Sequence, residues 1–330
     1  MTADGPRLAT TLFSLTHPYH AREYSFDRLV ERVAELGLGP GLEIDGFQCI
    51  RGYPHVTEEF AHHFKSLVER CGLEACCLDA FPDFARRPNR MMELEEQAVF
   101  LEAQIGAAQK LGIPLLWLSS FVQPAILERL LPAAERRGVT LGVEIGAPLR
   151  LDGPEVEAYR TLFDRLSSPY LGFIPDFGAT ATEIPPATLR SLRRDGLSSE
   201  ILDLLMEVWR SDGTMADKGP RLIEGAHRLG ADQTSIGKMM PILALFGRER
   251  PGKWRDLMPY VVHVHAKFFE LDPAGNAVAV PYPELLSLLK SAGYTGFISL
   301  EWGGQIWAEG ADAFAAVKAQ HDLCRRLLAA

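Results

Sequence analysis

The chain has 330 residues, of which 47% are hydrophobic and 23% are charged, and its formal net charge is −9. This composition is typical of a globular protein large enough for one α/β barrel or two modest domains. The acidic balance argues against nucleic acid or an anionic membrane as the main partner. No apolar run is long enough to span a bilayer, and the amino terminus lacks the pattern of a secretory signal. We therefore expect a cytoplasmic protein.

The cysteines favour the same location. They are odd in number and lack C-x-x-C spacing, which is typical of reduced and mostly buried thiols rather than a disulfide framework. They are Cys49, Cys71, Cys76, Cys77 and Cys324.

Eight short apolar runs alternate with longer amphipathic segments. The runs cover residues 7–15, 41–47, 73–81, 113–121, 139–147, 170–178, 260–269 and 296–304. Helical patterns between them include 25–37, 92–112, 153–166 and 281–293. Strand and helix repeated eight times predict a parallel sheet closed into a single (β/α)8 TIM barrel. A doubly wound open sheet is the alternative, but the loop at 12–20 lacks the glycine-rich phosphate-binding pattern of that fold.

One connection is longer than the others. Asp176 and His265 are 89 residues apart, whereas Glu144 to Asp176 is 32 residues and His265 to Glu301 is 36. The excess lies in 180–258, where the patterns at 186–211, 220–230 and 239–247 predict helices. Because this insertion follows the sixth strand, we expect it at the C-terminal mouth of the barrel, as a lid or a subunit contact.

Acidic residues and a histidine recur near the ends of the last four runs, where a barrel core would prefer valine. They are Glu144 in GVEIG, Asp176 in FIPDFG, His265 in HVHAK and Glu301 in ISLEWGG. Barrel closure would bring all four to the mouth. Buried carboxylates need a cation, and three carboxylates with one imidazole suit Mn²⁺, Mg²⁺ or Co²⁺ better than structural Zn²⁺.

The seventh run, VVHVHAK (261–267), places three basic residues on one face of a strand. We interpret His265 as a metal ligand. His263, one pleat below, either orients a neighbour or is simply packed. Lys267, nearest the mouth, would meet a substrate oxygen or neutralise Glu43 or Asp45.

The ordered set of Glu, Asp, the His of an H-x-K element and Glu in strands five to eight resembles the xylose-isomerase-like barrels, over essentially the whole chain. This family includes sugar isomerases and epimerases, inosose dehydratases and a dehydroshikimate dehydratase branch. The resemblance implies one divalent metal, most often Mn²⁺ and otherwise Mg²⁺ or Co²⁺, held by the four residues above. It also implies a sugar substrate whose vicinal oxygens bind the metal.

Within this family, the stretch GLEIDGFQCIRGYP (41–54) and the long insertion resemble the large subunit of C-glycoside deglycosidases. That branch implies a small second subunit, hence a hetero-oligomer, and cleavage of the bond between the sugar and the aglycone of a 3-oxo-glucoside. Two positions depart from family patterns. Gly146 replaces the histidine of E-x-H in strand five, and Ala179 replaces that of D-x-x-H in strand six, which argues against an epimerase.

The residues that could move a proton or contact a sugar follow from the same placement. Glu301, Glu144, His263 and Lys267 are the main candidates for acid–base roles, with His17 or His20 of the first loop as alternatives. Phe47, Trp117, Phe177 and Trp302 lie near strand ends and would stack on a sugar or an aglycone, and His17 would also contact substrate, although each aromatic residue could instead pack at the barrel rim.

These features predict a metal-dependent lyase that eliminates the aglycone from a 3-oxo-glycoside. A keto-sugar isomerase or epimerase, or an inosose-type dehydratase, would share the first step, in which a proton leaves the carbon beside a carbonyl group. Because Gly146 replaces a histidine, a catalytically impaired binding or scaffold protein is a further alternative. A DNA-repair endonuclease of the same fold would need more histidine ligands than the strand ends supply.

Overall fold

A computed structural model describes residues 5–82, 86–308 and 310–330. Each of the eight predicted apolar runs contains one strand of a single eight-stranded sheet. These strands are β1 (Arg7–Thr11), β2 (Gly41–Asp45), β3 (Glu74–Ala80), β4 (Leu115–Leu118), β5 (Thr140–Ile145), β6 (Leu171–Pro175), β7 (Val264–Phe268) and β10 (Phe297–Trp302). The remaining two, β8 (Glu270–Leu271) and β9 (Ala277–Val278), form a separate antiparallel hairpin.

The eight strands are parallel and follow the order β6-β5-β4-β3-β2-β1-β10-β7. The two outer strands of this order meet through isolated parallel bridges, Phe173 with Val261 and Asp176 with His265. The backbone N–H of Val262 also donates to the carbonyl of Phe173 at 3.0 Å. The predicted (β/α)8 barrel is therefore confirmed, and the alternative of an open sheet is wrong.

Helices surround the strands, and the capping chemistry explains several of their ends. The Ser25 hydroxyl accepts a hydrogen bond from the N–H of Arg28, and Gly112 and Gly138 end two helices in the left-handed conformation that glycine tolerates. The helices are α1 (Thr16–His20), α2 (Phe26–Glu35), α3 (Gly46–Cys49), α4 (Glu58–Arg70), α5 (Leu94–Leu111), α6 (Pro124–Arg137), α7 (Pro154–Leu166), α8 (Pro186–Arg194), α9 (Ser199–Arg210), α10 (Met215–Arg228), α11 (Gln233–Leu245), α12 (Tyr282–Ser291) and α13 (Ala313–Ala329). Among the described residues, none of the helices combines the length and apolarity needed to cross a bilayer.

Helices α8 to α11 occupy the long connection between β6 and β7. The Phe246 ring, just after α11, packs against Phe269 and Trp307 with ring centroids 4.6 and 5.6 Å apart. Arg190 of α8 pairs with Glu270 at 2.6 Å. Because Phe269 and Glu270 follow β7 and Trp307 follows β10, the connection contacts loops that leave the C-terminal ends of barrel strands.

Two apolar layers hold the barrel together. The larger one lies between the strands and the surrounding helices. The smaller one lies inside the barrel and contains Ala9, Cys76, Cys77, Leu115, Trp117 and Ile174. Since side chains alternate along a strand, a residue that follows an outward-facing one points into the barrel.

Candidate functional site

Of the four residues predicted as metal ligands, Glu144 and Glu301 lie next to the last residues of β5 and β10, Asp176 directly follows β6, and His265 is the second residue of β7. The Nδ1 atom of His265 is 3.1 Å from Oε1 of Glu144 and 3.5 Å from Oε2 of Glu301. Asp176, directly after β6, joins the group through Lys267, whose Nζ is 2.7 Å from Asp176 Oδ2 and 3.1 Å from Glu301 Oε1. The structure therefore brings all four residues into one cluster.

The donor set of this cluster fits a divalent cation. Ligand atoms of Glu144, His265 and Glu301 all lie within 4.8 Å of one another. Within the described part of the chain, Glu301 Oε2 is buried without a hydrogen-bond partner, and a buried carboxylate oxygen of this kind is costly unless a cation or donor satisfies it. Carboxylate oxygens with one imidazole nitrogen suit Mn²⁺ or Mg²⁺.

Asp176 stands apart from the three convergent ligands. Its Oδ1 accepts a hydrogen bond from the backbone N–H of Gly178 at 2.7 Å, and its Oδ2 pairs with Lys267. The aspartate would turn one oxygen from the lysine toward a cation in order to act as a fourth ligand.

Burial and charge act against each other in this cluster. Burial would lower the pKa of Lys267, but Asp176 and Glu301 raise it well above its usual range. Burial would raise the pKa of Glu144, but its hydrogen bond with His265 and the charge of Lys267 lower it. For Glu301 burial prevails over the charge of Lys267 and raises the pKa to about 7. A carboxyl group with such a pKa can take up or release a proton near neutral pH.

Glu43 of β2 forms a buried polar network beneath the cluster. Its Oε2 accepts a hydrogen bond from the Ser299 hydroxyl at 2.6 Å and lies 3.1 Å from Nε2 of His263. Its Oε1 is 3.3 Å from Nε2 of His265, although Nε2 makes no hydrogen bond with any described residue. Burial by itself would raise the pKa of Glu43. The charges and hydrogen bonds of His265 and His263 outweigh burial and hold the pKa of this carboxyl well below its usual range.

The contacts of His263 and Lys267 bear on the interpretations left open for β7. His263 is 2% exposed and bonded within the network, so it is placed to orient Glu43 and, through it, His265. Lys267 pairs with Asp176 and Glu301. No ion pair among the described residues joins Lys267 to Glu43 or Asp45, the alternative partners expected from the sequence.

The four aromatic candidates occupy different surroundings. Trp117 lies nearly parallel to the His265 ring, with centroids 6.2 Å apart. Phe47 is 41% exposed and contacts Tyr53 and Phe81. Phe47 is therefore open to solvent, and Trp117 lies next to the cluster.

The other two aromatic candidates lie in the core. Phe177 is fully buried, with Trp254 and Tyr282 packed against it at centroid distances of 5.6 and 5.0 Å. Trp302 is 4% exposed and belongs to the outer apolar layer, since Glu301 before it faces the barrel interior. The structure does not bring Phe177 or Trp302 to the cluster.

The first-loop histidines lie on the short helix α1. His17 and His20 are both exposed. Burial raises the pKa of Asp45, although its carboxylate accepts hydrogen bonds from the backbone N–H groups of Gln48 and Phe47. Within the described residues, no side-chain hydrogen bond links either histidine to the cluster of predicted metal ligands.

Gly146 leaves space beside Asp176. A Cβ atom at this position would lie 3.4 Å from the Cβ of Asp176 and 3.6 Å from its Oδ2, which is ordinary van der Waals contact. The side chain of a histidine at this position, as in the E-x-H pattern, would therefore begin next to the Asp176 carboxylate.

Sequence reasoning overlooked Asp79 on β3 and Ser119 after β4. Both are 7% exposed, and burial together with Glu43 and Asp45 raises the pKa of Asp79 well above its usual range. The rule that identified Glu144, an acidic residue near the end of a barrel strand, applies equally to Asp79 in LEACCLDAF. It could have been found in that way.

Comparison with known proteins supports the same family. The family model for the xylose isomerase-like TIM barrel matches residues 30–317. The chain is 39% identical to the 3'-dehydrocarminate deglycosidase alpha subunit of a Microbacterium species, over 98% of this chain and 95% of that protein. It is 36% identical to the C-glycoside deglycosidase alpha subunit of Microbacterium trichothecenolyticum, over 93% of this chain and 86% of that protein.

A solved structure shows the same fold. The chain aligns with D-psicose 3-epimerase from Clostridium cellulolyticum H10 with a TM-score of 0.60 and 13% identity, over 98% of this chain and 99% of that one. At this identity the likeness concerns the fold alone. The match of the family model, together with full-length relatives above 30% identity, shows that the chain belongs to the xylose isomerase-like TIM barrel family.

Proposed function

We propose that this protein is the catalytic subunit of a divalent-metal-dependent lyase that releases the aglycone from a 3-oxo-glycoside. The observation that carries the proposal is the convergence of Glu144, His265 and Glu301, with Asp176 and Lys267 beside them, in a chain 39% identical to a deglycosidase alpha subunit. Mn²⁺ is the cation that the ligand chemistry favours, with Mg²⁺ and Co²⁺ as alternatives.

The residues that would hold the cation are Glu144, Asp176, His265 and Glu301. When bound, the cation would supply positive charge beside the substrate carbonyl group. The chain itself would supply the proton transfers. Glu301, which is buried and 3.1 Å from the Lys267 ammonium group, is the first candidate to accept a proton and to return one. Glu144 is the second carboxylate within reach of the same space.

The proposed reaction is an elimination. With the carbonyl group at C3, the proton on C2 is acidic and passes to a carboxylate of the chain. The bond from C1 to the aglycone then breaks, a double bond forms between C1 and C2, and the aglycone takes up a proton. Lys267, which stays charged because Asp176 and Glu301 raise its pKa, would donate a hydrogen bond to the oxygen that gains negative charge.

A second subunit is part of the proposal. Relatives that cover nearly the whole chain are named alpha subunits, which implies a partner for those proteins. By analogy we propose a small partner for this chain, contacted by the insertion at 180–258. The exposed Phe47 is the aromatic residue best placed to meet the aglycone, whereas Trp117, beside His265, is placed to meet the sugar.

The test offers the protein, with Mn²⁺ and its co-purified partner, a 3-oxo-C-glucoside and a panel of free ketohexoses. The expected result is released aglycone that disappears with a chelator and falls at least about 100-fold in Glu301→Gln. Glu128→Gln, which alters a surface ion pair with Arg165 on the outer helices, is the matched control and should keep full activity. Epimerised ketose without released aglycone would identify an epimerase instead, and metal binding without any turnover would identify a binding protein.

A further inference from the structure

A row of inward-facing residues with polar atoms lies on β3, on β4 and directly after β4, next to His265 of the proposed metal site. In the strand register, Asp79 of β3 lies beside Asp45 of β2 and Trp117 of β4. Leu78 and Ala80, on either side of Asp79, belong to the outer apolar layer. Asp79 therefore points into the barrel.

Trp117 and Ser119 face the same space from β4. Leu116 and Leu118 belong to the outer layer, whereas Trp117 belongs to the inner one. The Ser119 position follows Leu118 and continues the alternation. The row formed by Asp79, Trp117 and Ser119 is called the β3–β4 row below.

Each member of the β3–β4 row carries a buried polar atom that lacks a hydrogen-bond partner within residues 5–82, 86–308 and 310–330. These atoms are Asp79 Oδ1, Trp117 Nε1 and Ser119 Oγ, and the three residues are 7%, 8% and 7% exposed. An unsatisfied buried polar atom costs about 1–3 kcal/mol. These three atoms lie on or directly after two neighbouring strands, and each is left to be satisfied by a bound molecule or by water.

The row borders the proposed metal site. The Trp117 ring lies nearly parallel to the His265 ring at a centroid distance of 6.2 Å. A small molecule bound beside His265 would therefore have one edge next to the row. The three groups differ in chemistry, because an indole N–H only donates whereas a hydroxyl and a carboxyl group can both donate and accept.

We propose that the β3–β4 row is a subsite that binds hydroxyl groups of the sugar ring and so fixes its orientation relative to Glu144 and Glu301. Asp79 is its central positioning residue. Only the identity of the sugar rests on the proposed function, because any polyhydroxylated ligand would satisfy the same atoms. Ordered water is the competing occupant.

The experiment measures binding separately from turnover. The probes are 3-oxo-glucose, D-fructose and myo-inositol, titrated by calorimetry into the Mn²⁺-loaded protein with its partner. The variants are Asp79→Leu, Trp117→Phe, which keeps a ring but removes the N–H, and Ser119→Ala. Asp322→Ala, on the outer face of α13, is the matched control because it removes an exposed carboxylate that pairs with Lys318.

We expect the affinity for the sugar that binds best to fall at least 10-fold in Asp79→Leu and at least threefold in the other two variants. Mn²⁺ affinity should stay within twofold of the unaltered protein. With a 3-oxo-glucoside as substrate, KM should rise by more than kcat falls, which a general loss of structure would not produce.

Unchanged sugar affinity in the variants would overturn the subsite and assign the space to water. If Asp79→Leu fails to fold, Trp117→Phe and Ser119→Ala decide the question by the same criterion. Failure of every probe to bind the unaltered protein would also overturn it. Sugar binding that weakens in the variants, without aglycone release by the unaltered protein, would uphold the subsite and reject the lyase.

Discussion

The Lys267 ammonium group lies 2.7 Å from Oδ2 of Asp176 and 3.1 Å from Oε1 of Glu301. Both carboxylates belong to the proposed metal-binding set. The lysine therefore neutralises charge that a divalent cation would otherwise neutralise, and its raised pKa keeps it protonated. Cation and lysine should compete for the same two carboxylates.

Replacing Lys267 with methionine should separate its contribution to stability from its competition with the cation. Breaking a buried ion pair costs about 3–5 kcal/mol when one partner is removed, so the metal-free variant should unfold at a markedly lower temperature. Its Mn²⁺ affinity should rise, because a nearby positive charge has been removed, and added Mn²⁺ should restore much of the lost stability. Thermal unfolding with and without Mn²⁺ and a calorimetric titration measure both effects.

Lys253→Met is the control for that comparison. Lys253 pairs with Asp152 and Glu249 near the surface, where ion pairs contribute about 0–1 kcal/mol. This variant should change neither Mn²⁺ affinity nor the unfolding temperature appreciably. An unaltered Mn²⁺ affinity of Lys267→Met would contradict the competition between lysine and cation.

Two glycines of the barrel should respond differently to alanine. At Gly172 of β6 a Cβ would lie 2.5 Å from the Tyr260 carbonyl oxygen and 2.4 Å from Val262, so Gly172→Ala should force β6 and β7 apart and lower the free energy of unfolding by about 1–3 kcal/mol. At Gly146 the new methyl group meets only ordinary contacts. Gly146→Ala should change stability by less than about 0.5 kcal/mol, and denaturant titration of both variants checks the contrast.

The loss of folding stability at acidic pH should depend on His321 of α13. Burial, with Arg325 adding to it, lowers the pKa of His321 to about 3, from an ordinary value of 6.5. Between these values the unfolded chain binds a proton that the folded chain excludes. This residue should therefore reduce stability as the pH falls from 6.5 toward 3, by up to about 1.4 kcal/mol per pH unit.

His321→Gln tests that dependence. The Thr10 hydroxyl donates to the Leu38 carbonyl and so accepts from Nε2 of His321, a hydrogen bond that a glutamine amide can replace. The free energy of unfolding of the variant should depend less steeply on pH below 6.5 than that of the unaltered protein. Equal slopes for the variant and the unaltered protein would show that His321 does not resist protonation.

The proposed contact between the insertion at 180–258 and a second subunit can be tested by hydrogen exchange. When the second subunit is added, backbone amides within 180–258 should exchange more slowly, because this segment contacts the loops after β7 and β10 and is proposed to form the interface. Helix α6, on the outside of the barrel, serves as an internal reference and should not change. Protection confined to barrel helices such as α6 would place the interface elsewhere.

Much of this architecture could be predicted because barrel strands carry strong local signals. Each apolar run contains a strand, and the acidic residues at strand ends revealed the cluster around His265. The side-chain partners were harder to predict. Glu43 meets His263 and Ser299 across the barrel interior, at separations of 220 and 256 residues, and no local pattern encodes such a pairing.

The aromatic residues show a second limit of prediction from the sequence. Trp302 and Phe177 both lie near strand ends, but strand alternation turns Trp302 outward and a short 3-10 helix after β6 buries Phe177. Strict use of the two-residue period from Glu301 would have placed Trp302 correctly. The burial of Phe177 depends on Trp254 and Tyr282, which only the folded chain brings to it.

The bridges between β6 and β7 have a consequence for how the protein assembles. These strands meet only after the chain has passed through the long insertion, and the entropy needed to close a loop grows with its length. Glu144 and Asp176 lie on one side of this seam, and His265 and Glu301 lie on the other. A cation held by all four would therefore link β5 and β6 to β7 and β10 across this seam, and the proposed metal site would form only once the two sides had come together.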